Sequence, residues 1–297
     1  MSELVQTQAA PASDASRRSI PLSIWQIAVL ASLFFWLYGA VLVRLVAQWW
    51  EDPNFSHGFF VPLFCAFVVW RQRVRIARIA PRPSSIGLLM LGLAMLFLVV
   101  GQLGAELFLA RFSLLLVLAG SIVLFLGWNF FRAVLFPWAF MILMIPIPAI
   151  LYNQITFPLQ LLASKNAEAV LALLGVPSLR EGNVITLPSM ALEVAEACSG
   201  IRSLMSLITL AVIYGFIVEK RTGVRCLLVM ASVPIAVIAN SIRVIGTGLL
   251  VQYWNTEAAE TYFHASWGWM IFVISLLMLF AFHRLIDIIR PKKGASS

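Results

Sequence analysis

Residues 85–103 read SIGLLMLGLAMLFLVVGQL, a stretch that contains no charged side chain. A helix of about 20 apolar residues crosses the hydrocarbon core of a bilayer. The whole chain of 297 residues has this character, since 61% of its residues are hydrophobic and only 11% are charged. Soluble domains carry about 25% charged residues. The sequence therefore predicts an integral membrane protein, and its spans should be helices because unpaired backbone groups cannot face lipid.

Comparable apolar stretches predict an all-α, eight-span polytopic helical bundle with a small extracytoplasmic cap. The spans are expected at roughly 22–43, 58–70, 85–103, 111–127, 133–150, 199–218, 226–251 and 267–286. Three regions follow from these spans: residues 1–21 as a disordered cytoplasmic tail, residues 22–290 as a single transmembrane domain, and residues 291–297 as a basic cytoplasmic tail.

Basic residues gather at the ends of the apolar stretches and predict their orientation. They lie before the first span, at 71–82, at 220–225 and at 284–293. Cytoplasmic loops of membrane proteins carry an excess of Lys and Arg, so both termini are predicted to be cytoplasmic. The net charge of +8 is explained in this way and does not indicate a nucleic-acid partner.

The same orientation places residues 151–198 outside the membrane at both ends. The apolar stretch 155–174 is then not a full crossing, and we expect it to lie at the interface or to dip in and return. Residues 184–187 and 190–194 flank a turn signal and predict two short strands of a hairpin that caps the site. Pro146 and Pro148 should break the end of the fifth span.

A cluster of reactive side chains lies at the outer end of the sixth span. Residues 196–203 read EACSGIRS. A nearby guanidinium, that of Arg202, and a helix N-terminus would both favour the thiolate of Cys198, which is the nucleophilic form. The sequence predicts Cys198 as a catalytic nucleophile, with Glu196 and Arg202 as supporting residues.

The ordinary interpretation of a free cysteine is a small buried hydrophobe. Cys65 within a span and Cys226 at a cytoplasmic edge fit that interpretation. Cys198 does not, because it is predicted on the oxidising side of the membrane without an intramolecular disulfide partner.

Arg243 is the second unusual residue, since it lies inside the seventh predicted span. A guanidinium there costs about 2.5–3.5 kcal/mol on insertion scales and normally faces the protein interior. Asn240 and Thr247 share its helical face. Two interpretations stay open: a structural ion pair with Glu193 or Glu196, or a binder of an oxyanion or of a substrate carboxylate or phosphate.

His264 precedes the last predicted span and His57 precedes the second. Histidine titrates near neutral pH and can act as a general base and acid that activates a thiol. An interfacial histidine without a catalytic role is the ordinary alternative, and the residues alone do not separate His264 from His57 as the working base. No metal or cofactor is predicted, because the sequence has no HExxH motif, paired cysteine set or phosphate-binding glycine loop.

Four motifs together resemble those of the exosortases in order and spacing, over roughly residues 20–290. They are EACSGIRS at 196–203, ANSIRV at 239–244 after Pro234, His264 with Gly268, and SHGF at 56–59 followed by Val61 and Pro62.

The resemblance implies a bacterial multi-pass enzyme of the inner (cytoplasmic) membrane, with its active site facing the periplasm. Such an enzyme is a cysteine protease or transpeptidase for PEP-CTERM-like sorting signals, and its partners are the C-terminal transmembrane tails of exported proteins and an unknown surface acceptor. The family is often linked to exopolysaccharide production. The resemblance also implies Cys198, Arg243 and His264 as the catalytic residues. Asn240, on the face of Arg243, and His57 are predicted as supporting residues.

Two other classes of function stay open. A non-catalytic polytopic subunit of exopolysaccharide export would use Arg243 to bind an anionic glycolipid. A transporter should carry polar groups at mid-bilayer on several spans, whereas those of this chain concentrate near the outer ends of three. A Cys198→Ser variant separates these classes, because only an enzyme should lose processing.

Overall fold

A computed structural model describes residues 23–188, 190–193, 200–253 and 256–289, and for residues 200–203 and 256–268 it describes the backbone alone. Most of these residues are helical. The helices are α1 (Ile24–Glu51), α2 (Phe60–Arg71), α3 (Arg73–Ala77), α4 (Ile86–Leu103), α5 (Leu107–Phe125), α6 (Trp128–Ala133), α7 (Leu135–Phe140), α8 (Ala149–Leu173), α9 (Gly200–Val218), α10 (Thr222–Tyr253) and α11 (Thr256–Ile289). Short 3-10 helices cover Ser56–Phe59 and Met141–Met144, and the strands are β1 (Leu179–Glu181), β2 (Val184–Thr186) and β3 (Ala191–Glu193).

Five described helices are long and apolar enough to cross a membrane: α1, α4, α5, α10 and the part Trp269–Ile289 of α11. A sixth results if Leu135–Met144 and α8 together form one bent span. The predicted spans 58–70 and 199–218 fall on shorter apolar helices, Ser56–Arg71 and Leu204–Val218. The chain is therefore a helical multi-pass membrane protein, while the count of eight spans stays a prediction.

The predicted fifth span, 133–150, is not one helix. It consists of α7 and the 3-10 helix that ends at Met144, after which the chain bends by 84° into α8. Pro146 and Pro148 explain the break, because proline has no backbone N–H and restricts the residue before it. Pro148 serves as the N-cap of α8, so the break predicted from these two prolines is confirmed.

Helices α4 and α5 form a tightly packed antiparallel pair. Gly87 and Gly101 of α4 have no room for a side chain, because a Cβ on either would collide with the backbone of α5 at Leu124 or Ala110. Gly120 of α5 is held almost as closely against the carbonyl of Gly87. Small residues let helix backbones approach in this way inside membranes, where close packing replaces the hydrophobic effect as the driving force.

The N-terminal core joins α1, α2 and α5. Tyr38, Leu45, Val61 and Leu115 have no exposed surface and belong to one apolar cluster. The Tyr38 hydroxyl meets the Ser113 hydroxyl at 3.2 Å, which satisfies a polar group that burial would otherwise penalise.

The C-terminal core joins α9, α10 and α11. Leu207, Leu228 and Leu279, one from each helix, are fully buried in it. A third buried cluster joins α8 and the sheet to the side of α10 that carries Val244 and Val251.

The sheet has the antiparallel order β1-β2-β3, in which Ile185 lies opposite both Arg180 and Leu192. The two predicted strands are confirmed, and β1 is a further strand that the sequence pattern did not reveal. Arg180 Nε donates to Glu168 of α8 at 3.2 Å, which ties the sheet to that helix. The position of the sheet outside the membrane stays a prediction.

Candidate active site

Arg243 and Asn240 lie on the buried face of α10. They are 5% and 8% exposed, whereas Ile238 and Ile242 on the opposite face are 46% and 40% exposed. Burial thus follows the helical period, and the predicted common face of Asn240 and Arg243 is confirmed. Because the guanidinium points into the protein and away from lipid, it has the environment expected of a functional charge within a membrane segment.

Asn240 brings an open hydrogen-bond acceptor to this face. Its Oδ1 atom is buried and has no hydrogen-bond partner within the part of the chain that the structure describes. Leaving a buried acceptor open costs about 1–3 kcal/mol. Such a cost is typical of a site that a ligand, a substrate or a neighbouring segment completes.

The sheet shares a buried cluster with α10, the helix that carries Arg243. Val244, the next residue of α10, belongs to one buried cluster with Ile185 and Leu192 of the sheet and Leu171 of α8. Strand β3 is therefore held in the same buried cluster as the residue that follows Arg243. The segment 194–199 connects this strand to α9, so the frame formed by α8, α10 and the sheet holds one end of that segment.

The predicted nucleophile lies in that connecting segment. Cys198 and Glu196 are outside the described residues. The described part of α9 begins at Gly200, close after Cys198, as the prediction of a thiol near a helix N-terminus requires. Arg202 lies in α9 and His264 in α11, and the side chains of both are outside the description.

His57 occupies a structural position. It is 7% exposed, and its Nε2 atom donates to the carbonyl of Leu143 at 3.1 Å, just before the proline break. Beside it, Trp49 Nε1 donates to the carbonyl of Met144 at 2.9 Å. A Cβ on Gly58 would collide with the Trp49 indole, so the glycine of the SHGF motif makes room for this contact.

These bonds hold the C-terminal end of α1 and the segment before α2 against the carbonyls at the break. Sequence analysis missed Trp49, although the glycine one residue after His57 was a signal of close packing there. His57 remains a predicted supporting residue, and its hydrogen bond favours a role in holding the break over a role as the base.

Of the other two cysteines, Cys65 matches the interpretation of a small buried hydrophobe and Cys226 does not. Cys65 is buried, and its Sγ atom donates to the carbonyl of Pro137 at 3.1 Å. Cys226, near the start of α10, is exposed, so its interpretation as a buried hydrophobe is wrong. Both thiols are free.

Glu219, His283 and Asp287 form a second polar cluster, near the basic loop between α9 and α10. Their ligand atoms all lie within 4.8 Å of one another, so they could hold a metal ion. Tyr214 contacts His283 Nδ1 at 2.7 Å, and Glu219 lies 3.7 Å from His283 Nε2. The sequence predicted no metal site. It could not reveal this grouping, because the loop after α9 and the helix α11 are far apart in sequence and become neighbours only in the folded chain.

Comparison with known proteins gives one family. The family model described as Transmembrane exosortase (Exosortase_EpsH) matches residues 49–281. No curated protein and no solved structure matches the chain. The matched region includes His57, Cys198, Arg243 and His264.

Proposed function

This chain belongs to the transmembrane exosortase family, and from that premise we propose that it is a membrane cysteine peptidase or transpeptidase. Its substrates are exported proteins that carry a PEP-CTERM-like motif, a transmembrane helix and a basic cluster at their C-terminus. The proposed location is the bacterial inner membrane, with the active site facing the periplasm and a link to exopolysaccharide production. The family match and the burial of Arg243 support this proposal.

The buried guanidinium of Arg243 is the observation that carries the proposal. Only 5% of the residue is exposed, next to an unsatisfied amide oxygen on Asn240. The Cys198 segment starts from β3, whose Leu192 shares one buried cluster with Val244. Since an extended chain advances at most about 3.3–3.6 Å per residue, the five residues from Glu193 to Cys198 keep the thiol within about 18 Å of the end of that strand.

The proposed reaction begins with the Cys198 thiolate. It attacks the scissile carbonyl of the substrate tail, whose own helix lies alongside the enzyme within the membrane. Arg243 donates hydrogen bonds to the oxyanion that develops, and a single donor of this kind is worth about 2.7–4 kcal/mol in known enzymes. His264 accepts the thiol proton and then delivers it to the leaving amine.

The product of this first step is a thioester between the substrate carbonyl and Cys198. The leaving amine departs with the C-terminal helix and basic cluster. An acceptor nucleophile or water then attacks the thioester, releases the Cys198 thiol and completes transfer or hydrolysis. Glu196, Arg202 and Asn240 are assigned to support this site, and the carbonyl contact of His57 supports a role in holding the adjacent break.

Trapping the thioester tests the proposal. Full-length enzyme is mixed in lipid vesicles with a substrate that ends in a Pro-Glu-Pro motif, an apolar helix and a basic tail. Hydroxylamine should release a hydroxamate of the shortened protein from the parent enzyme and none from Cys198→Ala. His264→Ala should form the thioester more slowly.

Cys226→Ser is the matched control, because it removes an exposed thiol outside the proposed site. Normal cleavage by the Cys198→Ala variant would overturn the assignment of the nucleophile. It would favour the alternative of a non-catalytic export subunit.

A further inference from the structure

A cavity of about 360 Å³ lies between α1, α4 and α5. Arg44 and Arg111 line it together with the amide of Gln102, and Val41, Ala105 and Leu107 complete much of its wall. The volume falls within the usual range of small-molecule sites, which begins at about 300 Å³. None of these residues takes part in the proposed reaction.

Arg111 is the unusual member of this lining. Its residue is 3% exposed, and within the described parts of the chain it has no hydrogen-bond acceptor and no carboxylate within ion-pair distance. Buried charges in proteins are normally paired or hydrogen-bonded, because their desolvation is otherwise uncompensated. An ionisable group within a membrane helix that lines a cavity is a candidate functional group.

Snorkelling does not explain Arg111. A snorkelling arginine buries its methylene stem and keeps its guanidinium in water or in the headgroup region. Arg111 instead is almost wholly buried a single turn inside α5 and lines a cavity that residues of α1 and α4 also line. Arg44, on α1, is exposed and reaches the same cavity from the other side.

The backbone around the cavity is held in a costly conformation. Ala105, in the turn between α4 and α5, has a φ of 53°, which is the left-handed region that residues other than glycine rarely adopt. Gly101 brings α4 against the backbone of Ala110, where a side chain would not fit. Strain of this kind persists where the surrounding structure fixes the geometry, and it is frequent at binding sites.

We propose that this cavity binds the phosphate group of an anionic membrane lipid. Two guanidinium groups from different helices offer several N–H donors. Each guanidinium can donate two parallel N–H bonds to phosphate oxygens with good geometry. The lipid-facing surface beside the cavity is apolar, since Val43, Leu103 and Leu107 are 69%, 84% and 45% exposed. The acyl chains lie along this surface while the phosphate enters the cavity and compensates the charge of Arg111.

Native mass spectrometry of the delipidated full-length protein tests this site. The probes are dioleoyl phosphatidylglycerol, dioleoyl phosphatidylcholine of the same chain length, and inorganic phosphate. The parent should retain one phosphatidylglycerol in preference to phosphatidylcholine. Arg111→Gln should weaken that binding by about tenfold or more, as expected for the loss of a charge-assisted hydrogen bond.

Arg75→Gln is the matched control. Arg71, Arg75 and Arg78 line a separate, open pocket at the basic end, where an anionic headgroup could also bind. The control removes the same charge from that pocket and should leave the first bound lipid in place. Arg44→Gln provides a second test, because Arg44 is exposed and its replacement does not disturb a buried position.

Thermal unfolding gives an independent measurement. A ligand that binds only the folded state raises its stability, so phosphatidylglycerol should raise the Tm of the parent and of Arg75→Gln, but not that of Arg111→Gln. Without lipid, Arg111→Gln should unfold at a higher temperature than the parent, because it removes an uncompensated buried charge.

Three results would overturn the inference. The first is equal retention of the two lipids by the parent. The second is loss of binding in Arg75→Gln with full binding in Arg111→Gln and Arg44→Gln. The third is displacement of the lipid by equimolar inorganic phosphate, which would assign the site to the free anion.

Discussion

At the residue scale, the chemistry of the proposed site depends on what kind of cation Arg243 is. A guanidinium is planar, stays charged and presents five donors in a fixed fork, whereas an ammonium is a compact point charge on a flexible stem. Arg243 lies on the buried face of α10, where only 5% of the residue is exposed. The shape of the cation should therefore matter as much as its charge.

We predict that Arg243→Lys loses most of its processing activity. The lysine keeps the charge but cannot direct two parallel N–H groups at one developing oxyanion, so the rate of thioester formation should fall by about 10²-fold or more. The measurement is the single-turnover rate of cleavage in vesicles, with Arg132→Lys, an exposed position, as the control. Near-normal cleavage by Arg243→Lys would show that the site needs only a positive charge.

His57 illustrates how the same residue type acquires different roles from its surroundings. Its Nε2 atom is occupied by the Leu143 carbonyl, and Trp49 holds the neighbouring carbonyl of Met144. Both carbonyls precede a proline-containing stretch that breaks the helix, so they lack the donors that a continuous helix would supply. The pair Trp49 and His57 supplies those donors instead.

At the scale of elements, the pair α4 and α5 gives a test of packing within one helix. Gly87 faces the backbone of α5, whereas a Cβ on Gly92 of the same helix would meet no atom within 4 Å. Gly87→Ala should lower the stability by about 1–3 kcal/mol through overpacking. Gly92→Ala should cause no loss, because alanine is the better helix former.

The measurement is the Tm of each purified variant in the same detergent. Because Gly87 lies at the far end of α4 from the cavity that Arg111 lines, both variants should retain phosphatidylglycerol. Equal Tm values for the two variants would show that the close approach of α4 and α5 is not required.

The contacts of Glu219, in the loop between α9 and α10, predict that the stability of the protein depends on pH. The backbone N–H of Arg221 lowers the pKa of Glu219, assisted by the N–H of Lys220 and by His283, and these contacts outweigh the effect of burial. The pKa of Glu219 in the folded protein lies below its ordinary value. Glu219 therefore contributes stability that is fully present when the pH is above that ordinary value. The contribution is lost as the pH falls through the lowered pKa.

Glu219→Gln should therefore unfold at a lower temperature than the parent at pH 7, and the difference should shrink below about pH 4. The measurement is the Tm of both proteins from pH 3.5 to 8. Glu181→Gln, on an exposed strand, is the control and should show a smaller difference at pH 7. A difference between Glu219→Gln and the parent that grows toward acid pH would contradict the proposed contacts.

At the scale of the whole molecule, local signals of the sequence predict a large part of the fold. Continuous apolar stretches predict α1, α4, α5 and α10, because long segments with so few charges have few other solutions in lipid. The prolines at 146 and 148 predict the break, because proline acts within its own turn of helix. The buried face of Asn240 and Arg243 follows from helical periodicity alone.

Features that depend on contacts between distant segments could not be predicted in this way. The cavity between α1, α4 and α5 needs Arg44 and Arg111 to meet across a large sequence separation. The contact of Trp49 with Met144 and the cluster around His283 have the same origin. A single sequence reports the chemistry of such residues, but it does not report which of them become neighbours.

The orientation of the molecule in the membrane is the largest untested prediction of the charge pattern. Basic residues of α3 and the loop before α4 should face the cytoplasm, and the sheet should face outside. The background is a variant in which all three natural cysteines, Cys65, Cys198 and Cys226, are replaced. Single reporter cysteines are then placed at Glu181 or Arg75, which are both exposed. A membrane-impermeant maleimide added to intact spheroplasts should label Glu181→Cys and should label Arg75→Cys only after the membrane is opened. Labelling of Arg75→Cys with protection of Glu181→Cys would invert the topology. It would also place Cys198 on the reducing side of the membrane, where exported substrates are not available to it.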